Sequence, residues 1–173
     1  MPCALTTSVP LGCKDSVGGI KRIYVSELAN KLTLTKTAGV ATAFTLATGK
    51  RFWVYDFEKE TGEASETITR SDENGTTFYA QELKVRLNRR DTVKRNEIKL
   101  LAANNCMVIV LDKNGVYWLC GEDSGMSLMT STSSLGKAMG DFNGFDLAFS
   151  GREIDSMTEV TGSLIAALIL PGA

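Results

Sequence analysis

The sequence contains no histidine among its 173 residues. That removes the side chain most used as a general base near neutral pH and the commonest protein metal ligand. Cysteine is scarce. The four, at positions 3, 13, 106 and 120, form no C-x-x-C pair, so a structural zinc site has no ligand set. Proline is confined to positions 2, 10 and 171. Long hydrophobic runs are missing too: the most apolar stretch, Leu164 to Leu170, falls far short of the ~20 residues that a bilayer requires, so no membrane insertion is expected. The opening Met-Pro-Cys-Ala-Leu-Thr-Thr has neither the basic start nor the apolar core of a signal peptide. The expectation is a protein made in a reducing cytoplasm, its cysteines free thiols. Neither sign of charge predominates, with 19 Lys and Arg against 20 Asp and Glu. A general nucleic-acid binder needs an excess of cations to neutralise phosphates, and here there is none.

What is present is the material of a β protein. There are 18 threonines and 16 glycines, and 43% of residues are hydrophobic. No linker or change of composition divides residues 1–173, which read as a single domain with enough length for one real core. The clearest strand is Leu83-Lys84-Val85-Arg86-Leu87, where alternation puts three aliphatics on one face and two cations on the other. Arg51 to Phe57 and Thr76 to Tyr79 have strand composition, and Phe145 to Phe149 alternates again. Met107 to Cys120 forms two apolar arms around Asn114-Gly115, a strong hairpin signal that predicts positive φ at both residues. Cys106 and Cys120 flank that hairpin, as buried small hydrophobes or facing each other across it. Asp91 or Thr92 caps a predicted helix ending at Asn104-Asn105, with Val93, Glu97, Ile98, Leu100 and Leu101 mostly on one stripe. Between Glu58 and Glu73 the chain is polar, charged and Thr-rich, and reads as a long hairpin or loop beyond the core. Periodicity does not decide whether Glu159 to Leu170 is a strand or a helix.

Catalytic signatures are thin. There is no G-x-G-x-x-G, G-x-S-x-G or Walker loop. Ser134-Leu135-Gly136-Lys137 matches S-x-x-K, in which a lysine activates a serine, but Lys36-Thr37-Ala38-Gly39 and Ser71-Asp72-Glu73 miss the partner motifs. A Ser/Thr/Gly loop from Thr130 to Gly140 explains the match more simply. Glu122, Asp123 and Asp141 lack the spacing that wraps a calcium ion and read as turn carboxylates. Asn74-Gly75-Thr76 is a glycosylation sequon in form and a turn in context. The basic concentration Lys84, Arg86, Arg89, Arg90, Lys94, Arg95 and Lys99 has no interleaved aromatics, and Glu82, Asp91 and Glu97 interrupt it. A solvated face, or one that pairs with an acidic surface, suits it better than nucleic acid.

The second half of the chain also carries a family pattern. Arg95-Asn96-Glu97-Ile98 leads to Val108 through Leu119. Gly121-Glu122 with Gly125 follows, then the Ser/Thr/Gly loop, Gly140 to Phe145, and Asp146 to Glu153. Together with Leu11 to Gly19 and Asn74 to Tyr79, this resembles the tail tube and neck structural proteins of tailed bacteriophages, above all phages of Bacteroidetes hosts. The resemblance implies a mainly β fold: an antiparallel β-sandwich or barrel-like domain with one principal flanking helix at about 91–104 and a long hairpin or loop arm at about 58–76. It also implies copies that form rings, stacked into a tube through which phage DNA passes as cargo without sequence-specific binding. It brings no catalytic residues, cofactor or metal. Expected partners are further copies of the chain and other virion proteins, and the expected location is the virion tail or neck after synthesis in the host bacterial cytoplasm.

A neck or head–tail connector ring is the closest variant and a capsid decoration protein a more distant one; a monomeric β-rich binding module and a hydrolase using Ser134 and Lys137 are the competing classes. For subunit contact, the acidic arm residues Glu58, Glu60, Glu63, Glu66, Asp72 and Glu73 are expected to meet Lys84, Arg86, Arg89, Arg90, Lys94 and Arg95 of a neighbour. A polar arm of this kind is expected to contribute little to the core and to order itself on a partner.

Overall fold

The computed structural model describes residues 7–169. Two sheets pack face to face and neither closes on itself. The larger has seven strands: β1 (Ile20–Glu27), β2 (Lys31–Thr37), β3 (Val40–Leu46), β4 (Trp53–Asp56), β7 (Cys106–Asp112), β8 (Tyr117–Cys120) and β11 (Thr158–Val160). Their order is β2-β3-β11-β8-β7-β1-β4, antiparallel except where β11 runs parallel to β3. The smaller has four strands, β5 (Gly62–Ser71), β6 (Thr76–Asn88), β9 (Ser127–Ser134) and β10 (Gly144–Glu153), in the order β5-β6-β10-β9. Helix α1 (Thr92–Ala103) closes one end of the sandwich, and α2 (Gly162–Ile169) packs on the outer face of the larger sheet. The expectation of a mainly β sandwich with a flanking helix holds, and the fold is not a barrel.

Two cores follow from this layering. Between the sheets, Ile20, Ile23 and Val25 of β1 and Cys106, Val108 and Val110 of β7 meet Leu83, Val85 and Leu87 of β6 and Phe145, Leu147 and Phe149 of β10. A register shift between Ile20 and Arg22 brings Ile20 and Ile23, three residues apart, to the same face. On the other side of the larger sheet, Tyr24, Met107, Ile109 and Leu119 pack against Phe44, Phe52 and the α2 residues Ile165 and Leu168. A strand covered on both faces has no polar side, so Met107 to Val110 is a continuous apolar run rather than an alternating one. β6 and β10 have one face in water and keep clean alternation.

The C-terminal ambiguity resolves into both elements. Thr158–Val160 is a strand, and the next residues form α2, tied back where Phe52 N–H donates to the Leu168 carbonyl at 2.9 Å. Leu170 lies outside the described residues, as do Cys3, Pro2 and Pro171. At α1 the cap is Asp91, whose carboxylate accepts from the Lys94 N–H at 2.8 Å. The expected single apolar stripe is split in two: Ile98 and Leu101 are buried, whereas Val93 and Leu100, seven apart, are exposed.

Of the two forms expected for the arm, hairpin or loop, it is the hairpin; what differs from the expectation is that it is ordered within its own chain. Residues 62–71 pair with β6 through ten consecutive partners, from Gly62↔Val85 to Ser71↔Thr76, and form the edge of the smaller sheet. Ala64 packs against the core, and a Cβ at Gly62 would lie 2.7 Å from Ile20. β10 runs alongside β6 only as far as Tyr79, so the outer three pairs of the hairpin, from Thr69↔Phe78 outward, project beyond it. Backbone pairing within the chain orders this segment, which makes most of it part of the fold rather than an appendage.

Cys106 and Cys120 are free and buried, and do not face each other: Cys120 stands opposite Val108, and Cys106 bridges to Met126. Burial pushes their thiols up to about 11 and about 12, which keeps them protonated and unreactive. The β7–β8 turn also differs in detail. Gly115 N–H donates to the Asp112 carbonyl at 3.3 Å and Asp112 N–H to the Val116 carbonyl at 3.0 Å, a three-residue loop with positive φ only at Gly115 (88°). The Asp112 carboxylate accepts from the Val116 N–H and the Trp118 indole N–H. Partial burial raises its pKa, but these bonds and those from Asn114 outweigh it and hold it below the usual carboxylate value. A Cβ at Gly115 meets nothing within 4 Å, so substitution there tests the backbone alone. Gly115→Val should cost about 1–3 kcal/mol in denaturant melts, and Gly115→Asn distinctly less, because asparagine tolerates the left-handed region. Equal stability of the two variants would contradict the turn.

Candidate functional site

The twelve charged residues expected to join subunits do not form two separate surfaces. Glu63 lies directly opposite Lys84 in the β5–β6 register of one chain. Arg86 is held by Asp146 of β10, with Nε 2.6 Å from one carboxylate oxygen, and its guanidinium stacks 4.3 Å from the Phe142 ring centre. Lys94 donates to the carbonyls of Asn88 and Arg89 at 2.6 and 3.1 Å and so closes the loop before α1. Glu60 reaches Lys113 at 4.0 Å, and Asp72 pairs with Arg70 at 2.6 Å within the hairpin tip. Glu58, Glu73, Arg89, Arg90 and Arg95 are exposed.

Glu66 has an interior role. Its carboxylate accepts from Gln81 Nε2 at 3.0 Å, Ser156 Oγ at 2.6 Å and the Met157 N–H at 2.7 Å. Gln81, 1% exposed, in turn accepts the Gly121 N–H at 2.9 Å. Beside it Glu153, 3% exposed, gathers the N–H groups of Asp123, Ser124 and Gly125 at 3.0–3.2 Å. Burial pushes the Glu153 carboxyl up while those three donors pull it down, and burial prevails. Glu122 accepts from Lys36 and Thr158, and its carbonyl from Lys31. Asp141 holds the N–H groups of Lys137 and Ala138, both at 2.7 Å. Of the three turn carboxylates, those of Glu122 and Asp141 are engaged by these donors, and the Asp123 side chain is exposed. Among the described residues no group of three or more Cys, Asp or Glu side chains is arranged to hold a metal ion. The Ser134 hydroxyl accepts the Gly136 N–H at 3.4 Å in the same exposed turn.

A larger feature lies on the other side of α1, unsuspected from the sequence. A groove of about 680 Å³ runs between α1 and the edge strand β4. Its walls carry large apolar side chains in water: Trp53 (53% exposed), Val54 (43%), Val93 (78%) and Leu100 (60%). On its floor the Tyr55 hydroxyl donates to Glu97 Oε1 at 3.1 Å, and burial raises the phenol's pKa far above its usual value. At the rim the Arg51 guanidinium sits 4.0 Å from the centre of the Trp53 ring. Among the described residues β4 pairs only with β1, so the other edge of its backbone borders the groove. One sequence signal pointed here: Val93, Glu97 and Leu100 form a helical stripe distinct from that of Ile98 and Leu101.

No known protein family, curated protein or solved structure matches the chain.

The Glu153 cradle makes a direct prediction. Glu153→Ala removes the acceptor of three N–H groups. Water can replace it at exposed Asp123 and Ser124 but not at buried Gly125. The expected loss is about 1–3 kcal/mol of unfolding free energy in urea. Asp123→Ala, whose side chain is exposed, should stay within about 0.5 kcal/mol of the parent. A Glu153→Ala chain as stable as Asp123→Ala would refute the cradle's role.

Proposed function

We propose that the chain is a virion structural protein of a tailed bacteriophage, a tail tube subunit whose copies close into rings that stack around a DNA-conducting channel. The motif pattern from Arg95 to Glu153 supports this reading, and so does the sandwich with its flanking helix and projecting hairpin tip. The observation that carries it is the groove between α1 and β4. A lone subunit leaves Trp53, Val54, Val93 and Leu100 in water beside an open sheet edge. A monomer gains nothing from such a combination, and an assembling subunit buries it. Four strands, β2, β4, β5 and β9, lie at sheet edges, and contacts between unlike edges are heterologous: they give closed rings when the rotation closes. The charged outer face of the smaller sheet is largely self-neutralising, as in Arg86 with Asp146, which suits a surface along which DNA passes without being held.

Light scattering after size exclusion, with negative-stain imaging, tests the reading. Rings or tubes with masses at multiples of 18.7 kDa are expected. A homogeneous 18.7 kDa species at every accessible concentration would overturn it in favour of a monomeric binding module.

A further inference from the structure

We infer that the groove between α1 and β4 receives residues 9–13 of a second copy, added to β4 as a further edge strand. This rests on the reading that copies of the chain assemble, and it names the segment that fills the groove.

The donor is marked by its exposure. Residues 7–19, the described residues before β1, form no helix or strand, and Val9 and Leu11 stand 93% and 99% exposed, with Cys13 exposed as well. From Thr7 to Cys13 there is no charge. In extended conformation residues 9, 11 and 13 share one face, so Val9, Leu11 and Cys13 form an apolar edge matched to a groove walled by Trp53, Val54, Val93 and Leu100. The proline agrees with this register. When residues 9, 11 and 13 turn their N–H and C=O groups toward β4, those of residue 10 point away, where a missing N–H costs nothing. Main-chain bonds to an open edge with alternate side chains in a groove are the usual terms of strand addition.

The segment's root sets it toward a neighbour rather than its own groove. Val17 is pinned to the β7–β8 turn, its N–H donating to Asn114 Oδ1 and its carbonyl accepting from Asn114 Nδ2, both at 3.0 Å. In the order β8-β7-β1-β4 that turn lies on the side of β1 away from β4. The groove extends from Asp56, which pairs with Arg22 near the start of β1, to Val25, Ser26 and Glu27 at its end. Residues 9–13 stay out of it in their own chain, with Val9 and Leu11 in water, so segment and groove are both left open to another copy. Contact between two different surfaces of like copies is the head-to-tail arrangement.

Crosslinking in the full chain tests this. In a Cys3→Ser background, a chain keeping Cys13 is mixed with an epitope-tagged chain carrying Cys13→Ser and Leu100→Cys, and exposed to a mild thiol oxidant. Leu100, Val9 and Leu11 are exposed, so substitutions there leave the fold intact. A mixed disulfide dimer is expected, lost when Val9→Asp and Leu11→Asp are placed in the donor chain. Assembly by light scattering without a mixed dimer would overturn the inference and leave the assembly reading standing, as would a mixed dimer indifferent to the two aspartates. A monomer by light scattering overturns both.

Discussion

The structure depends on one constraint: the middle strands of the larger sheet must be covered on both faces. β1, β7 and β8 place apolar side chains above and below, so two separate layers are obligatory. The four-stranded sheet supplies one, and α2 with Phe44 and Phe52 supplies the other. Each fully buried Ile, Leu, Val or Met contributes on the order of 1.5–3 kcal/mol relative to exposure, which makes either layer expensive to lose. Both broad faces of the larger sheet are therefore committed. What remains for contact with other molecules is the edges and the end of the sandwich, and α1, β4 and the segment before β1 are found there.

Polar groups fix how the layers sit. Gln81 and Glu66 join β6 and β5 to Gly121 and to residues 156–157, and Glu153 of β10 holds the loop at 123–125. Apolar packing tolerates sliding, whereas hydrogen bonds with fixed donors do not, so this network ties the smaller sheet to the turns of the larger one. Among the described residues no buried side-chain nitrogen or oxygen lacks a partner, as a network of this kind requires.

Much of the fold was legible because its signals are local. Alternation at Leu83 to Leu87, the Asp91 cap and the Asn114-Gly115 hairpin each depend on a few neighbouring residues, and each is present. The misreadings concern partners distant in sequence. Glu66 looks like a surface acid until Gln81 and Met157 are brought beside it. The polar segment 62–71 reads equally as hairpin or loop because Thr, Ser and Glu suit an edge strand as well as a loop, and only the ten-pair register with β6 shows that the chain itself orders it. Val93 and Leu100 look like core because a helical pattern says which residues share a stripe, and not what covers that stripe. Beyond that stripe the groove was not legible, for the same reason: β4 and α1 are brought together by the sheet and not by nearness in sequence.

If the exposed edge is where copies join, its backbone should change state on assembly while the twice-covered strands should not. Hydrogen exchange of β4 and α1 amides, compared between dilute monomer and assembled protein, measures this directly. Protection is expected to rise across Trp53–Asp56 and the Val93–Leu100 face of α1, with Met107–Val110 already slow in both states. Assembled protein in which β4 exchanges as fast as in the monomer would contradict the account.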